Sequence, residues 1–163
     1  MKLCIAACLA IAASGCAQRP LSLSYDVLID PSFTPAQLEQ ATLAPGAWSA
    51  AVPGITLRVA VGACVGEKAL CIVPAFGAQH LAGWTSEDPN GGAVSYVSVD
   101  EIARRAPDAA TALAWIEWTA EHELGHGLTN GDHLADRTRM ATYLQLESSD
   151  ITPADVAHFW AVR

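Results

Sequence analysis

Residues 121–133 spell EHELGHGLTNGDH. Two histidines, His122 and His126, stand four apart, with Glu123 beside the first. A helix returns to nearly the same face after four residues, so both imidazoles project side by side and can share one zinc ion. Glu123 lies about 100° further round the same helix. From there it can reach a water on the metal without binding the metal. That division of labour suits hydrolysis: zinc lowers the pKa of a bound water and polarises a carbonyl, and the neighbouring carboxylate moves the proton. A pattern with three fixed positions also arises by chance. The surrounding run argues against chance here, because burying two histidines with Glu121 and Glu123 in so apolar a helix is costly without a partner.

Beyond the second histidine come Thr129, Asn130 and Gly131, then Asp132 and His133, and later Met140 in RTRMATY. HELGH, a chain reversal, a further ligand and then a methionine resemble the metzincin clan of zinc endopeptidases, in particular its matrixin-like and snapalysin-like members. The resemblance is specific over residues 117–143 and only architectural elsewhere. It implies one catalytic zinc held by His122, His126 and a third ligand, with Glu123 as general base and Met140 as the Met-turn beneath the metal. The clan has a glycine where this chain has Thr129. A gapless register makes Asp132 the third ligand and forces the β-branched Thr129 into a left-handed turn, which suits it poorly. A helix one residue longer gives that turn to Asn130 and sets His133 at the ligand position. His133 is preferred and Asp132 is the alternative. Adjacent residues of an extended segment point opposite ways, so the two do not readily bind together.

Other chemistry-bearing residues carry less. Tyr143, three residues past Met140, suits packing, and the isolated His80 and His158 suit structural or surface roles. Ser95 and Ser98 lie in an expected strand with no His–Asp partner implied, which excludes a serine hydrolase. No glycine-rich phosphate loop is present.

These residues need elements to hold them. SYDVLID (24–30), ITLRVAV (55–61), CIVPA (71–75) and AVSYVSV (93–99) have strand character. Thr34, Pro35 and Gln37 form a capping box that opens a helix toward Thr42, with Pro45-Gly46 interrupting it before Trp48 packs inward. SEDPNGG (86–92) is turn chemistry. Asp108 opens the long helix that ends in HELGHGL, apolar on more than one face and therefore central in its domain. Thr152, Pro153 and Asp155 open a terminal helix with Val156, Phe159 and Trp160 to bury. The expected class is α+β: a twisted mixed sheet backed by helices, with a long active-site helix and a C-terminal helix, zincin-like in layout.

The start of the chain, MKLCIAACLAIAASGC, has the shape of a secretory signal peptide over residues 1–15, and Ala13-Ser14-Gly15-Cys16 resembles a bacterial lipobox. The expectation is export, a lipid on Cys16, a tether over 16–23 and a peptidase domain over 24–163. Ala17 after the cysteine resembles sorting to the outer membrane. Cys64 and Cys71 are an even pair in an exported chain and are expected to form a disulfide across a hairpin tip. A net charge of −8 argues against nucleic acid and against electrostatic attraction to anionic lipid. The expected activity is zinc-dependent cleavage of peptide or protein substrates by a monomer. A zinc-fold binding lipoprotein that has lost turnover and a zinc hydrolase acting on cell-wall amides are the alternatives.

Overall fold

The computed structural model describes residues 22–64, 69–77, 81–87, 92–129 and 151–162. Within them are five strands, β1 (Leu23–Ile29), β2 (Ile55–Val61), β3 (Leu70–Ala75), β4 (Gly83–Glu87) and β5 (Ala93–Ser98), and four helices, α1 (Pro35–Ala51), α2 (Val99–Arg105), α3 (Ala109–Thr129) and α4 (Pro153–Ala161). The strands form one sheet in the order β2-β1-β3-β5-β4. The first four run parallel, and β4 pairs antiparallel with β5. The α+β class and the mixed sheet agree with the sequence. A parallel neighbour demands a crossover, and α1 supplies it between β1 and β2.

Two helices start as their caps predict. Thr34 and Gln37 cap α1 reciprocally, and Thr152 and Asp155 cap α4 in the same way. At α3, the Thr111 backbone N–H donates to Asp108 Oδ1 at 2.7 Å. That bond holds the Asp108 carboxyl below its usual range.

α1 does not stop at Pro45. It continues to Ala51, although proline removes one backbone bond and crowds the preceding turn. Ala41, Ala44, Pro45 and Trp48 form the buried stripe of this helix, and that packing overrides the local penalty. Two elements were not apparent from the sequence. β4 begins three residues before the expected turn, and α2 starts at Val99, the last residue of the expected strand.

Val27 and Leu70 are register partners, as are Ile29 and Ile72, and all four are buried with Trp48, Ile116, Ala120, Leu124 and Leu128 in one core. Phe159 of α4 joins it, fully buried. A Cβ on Gly127 would meet Ala93 Cβ at 2.9 Å and Leu70 Cδ2 at 3.2 Å. The closing turn of α3 therefore lies against the first residues of β3 and β5, and the helix runs opposite to those strands.

Cys64 and Cys71 form the expected disulfide, with their Cα atoms 5.8 Å apart. The expected hairpin would pair β2 with β3, and these two strands are each paired with β1 instead. β1 lies between β2 and β3 in the sheet, so the bridge ties the segment just past β2 to a strand that β2 does not pair with.

Candidate metal centre

α3 brings its two histidines to one point. His122 Nε2 and His126 Nε2 are 3.1 Å apart, both side chains are buried, and the rings meet edge to face with centroids 4.7 Å apart. Two imidazole nitrogens bound at zinc distances on a tetrahedral ion stand about 3.3 Å apart, so the pair is already spaced for the metal. Imidazole nitrogen is also a donor type that zinc favours. The residues present thus fit a zinc ion.

Neighbouring elements fix this turn of helix. The Trp48 indole N–H donates to the Glu121 carbonyl at 2.9 Å, bolting α1 to α3 one residue before His122. Thr129 is helical, and its hydroxyl donates back to the Gly125 carbonyl at 2.8 Å. It is therefore not the left-handed turn residue that a gapless register required.

Glu123 points to another neighbour, β4. Its carboxyl is pushed up to about 7 by burial, while a hydrogen bond from Thr85 Oγ1 works in the opposite direction. That hydroxyl lies 2.8 Å from Glu123 Oε2 and also 2.8 Å from the Glu123 carbonyl oxygen. β4 approaches α3 so closely here that a Cβ on Gly83 would sit 2.6 Å from the Tyr96 carbonyl oxygen, 2.7 Å from Thr119 Cγ2 and 2.9 Å from Glu123 Cγ. A buried carboxyl with a raised pKa suits general-base work near neutral pH, and a divalent cation alongside would draw the value back down.

The described residues bring together His122, Glu123 and His126. Asp132, His133, Met140, Tyr143, His80 and Cys16 lie outside them, as does the expected signal segment. Among the described residues no group of three or more histidine, cysteine, aspartate or glutamate side chains converges as a metal site; the imidazole pair is their contribution. His158 lies half-buried on α4. Ser95 is buried in β5, its Oγ 3.4 Å from Thr85 Oγ1. Thr85 and Gly83 were missed by sequence reasoning. The local signal for both was the short apolar-then-polar run GWTSE, which lacks alternation.

No family model matches the chain, and no curated protein matches it. Solved structures do. Archaemetzincin from Methanopyrus kandleri is 15% identical, with 89% of this chain and 97% of that chain covered at a TM-score of 0.57. A chain of the ECX AB5 holotoxin, in its GM1-bound form, is 12% identical, with 86% of this chain and 78% of that chain covered at a TM-score of 0.53. The chain shares the fold of archaemetzincin. At these identities the likeness concerns fold alone, and the chemistry has to be argued from the side chains.

Proposed function

We propose that the protein is an exported, zinc-dependent metalloendopeptidase of metzincin type. The observation that carries this reading is the convergence on one buried turn of α3: two imidazole nitrogens 3.1 Å apart, with the Glu123 carboxyl on the adjoining face. The shared fold and the name of the archaeal neighbour support it. The helical placement of Thr129 supports His133 over Asp132 as the third ligand, since the turn then begins beyond Thr129. Met140 would floor the site.

Zinc bound there would supply a Lewis acid and an activated water. His122 and His126 would present bare Nε2 lone pairs, their rings locked by burial in α3. Glu123 would accept a proton at its carboxylate and hand it to the departing amine. The peptide would lie along an edge strand. β5 cannot serve, because it is paired on both sides, with β3 and β4. Among the described residues β4 borders the sheet at that side, and Thr85 joins it to Glu123. Attachment to the outer membrane through a lipid on Cys16 and a monomeric state belong to the same proposal.

Zinc stoichiometry and digestion of a random peptide library test it together. Glu123→Ala should keep full zinc and lose about 10²–10⁴-fold in kcat. His122→Ala, His126→Ala and His133→Ala should each lose zinc, whereas Asp132→Ala should retain it. A wild-type protein that binds no zinc, or that binds it and leaves every peptide intact while cleaving cell-wall amides, would end the endopeptidase reading.

A further inference from the structure

The Glu123 carboxylate owes its orientation to a residue on a different element. Thr85 Oγ1 lies 2.8 Å from Glu123 Oε2, and the side chain of Glu123 is buried around that bond. A hydroxyl has one proton to give, and the Glu123 carbonyl oxygen competes for it at the same 2.8 Å. Ser95 is the cross-strand partner of Thr85, is buried, and has its Oγ 3.4 Å from Thr85 Oγ1. A proton donated by Ser95 toward Thr85 would leave the threonine proton for the glutamate. The position of the threonine is set by main chain. Gly83, two residues earlier on the same face of β4, leaves no room for a side chain between β4 and α3.

We propose that Thr85 is a positioning residue for Glu123: its hydroxyl holds the carboxylate rotamer and links the proposed peptide-binding edge strand to the group that moves the proton. This rests on the peptidase reading above. A hydrogen bond to a carboxylate is stronger than one to a neutral carbonyl, so the carboxylate is the favoured acceptor.

Two measurements test the assignment. The first compares kcat, KM and zinc content for the wild type, Thr85→Val and Thr85→Ser on a peptide found by the library digest. Thr85→Val should lower kcat about tenfold, with KM and zinc content nearly unchanged, and Thr85→Ser should restore most of the loss. The second uses zinc-free protein and follows thermal unfolding of the wild type, T85V, E123L and the double variant. T85V should lower Tm more in the wild-type background than in the E123L background. Equal shifts in both backgrounds, or an unchanged kcat in T85V, would overturn the proposal, because the hydroxyl would then serve only the main-chain oxygen. If the wild type cleaves no peptide, the peptidase reading fails, and the Tm comparison alone decides whether Thr85 holds the carboxylate.

Discussion

Single residues show how burial and charge are balanced outside the candidate metal centre. Glu101 in α2 is buried, and its carboxylate takes bonds from Arg104 Nη2 and Arg105 Nε, each at 2.6 Å. The Arg104 bond, seconded by Arg105, holds the carboxyl below the usual range against the opposing effect of burial. A depressed folded-state pKa adds stability above the unfolded value and loses it as pH falls. Glu101→Gln should therefore lower Tm at neutral pH, and its gap from the wild type should close as pH drops below about 4.3. Thermal scans across pH check this, and a gap that widened in acid would contradict it. At this scale the shared turn of His122, Glu123 and His126 was legible in the sequence, because helical spacing is a local property and all three lie on one helix. Thr85 was not, because its role exists only through a contact with a residue 38 positions away.

At the scale of elements, what the sequence hid was pairing rather than propensity. β1, β2, β3 and β5 announced themselves by apolar content, and the caps of α1, α3 and α4 marked where those helices begin. Pro45 was read locally and overruled by packing, since α1 lays its buried stripe against α3 through Trp48. β4 is short, starts at a glycine and exposes its last two residues, so it carries little strand signal of its own. α2 did carry one: Asp100 and Glu101 in its first turn and Arg104 and Arg105 in its last match the helix dipole. The close approach of β4 to α3 makes Gly83 the most sensitive position of this layer. Gly83→Ala places a methyl group within 2.6 Å of the Tyr96 backbone oxygen, so main chain must yield. The expected cost is about 1–3 kcal/mol, typical of overpacking, accompanied by a fall in kcat as β4 retreats from Glu123. Urea unfolding measures the first and peptide turnover the second.

For the whole molecule, the sheet order and the disulfide work together. The Cys64–Cys71 bridge joins the segment just past β2 to β3, across a sequence separation of 7, while β1 lies between those two strands in the sheet. So short a loop limits the unfolded chain only modestly. Reduction, or replacement of both cysteines by alanine, should cost about 2–3 kcal/mol, seen as a lower urea midpoint with zinc content preserved. The order β2-β1-β3-β5-β4 could not be read from the chain, because strand pairing is decided by contacts remote in sequence. The same order fixes where the chain enters. β1 begins at the end of the sheet where α3 finishes, so the polypeptide feeds in on the histidine-bearing side of the domain. With a lipid on Cys16, residues 17–22 would span at most about 20 Å fully stretched. A peptidase so held would graze like a tethered animal, its histidine-bearing turn kept near the surface that anchors it, and proteins seated on that surface would be within its reach before anything dissolved far above it.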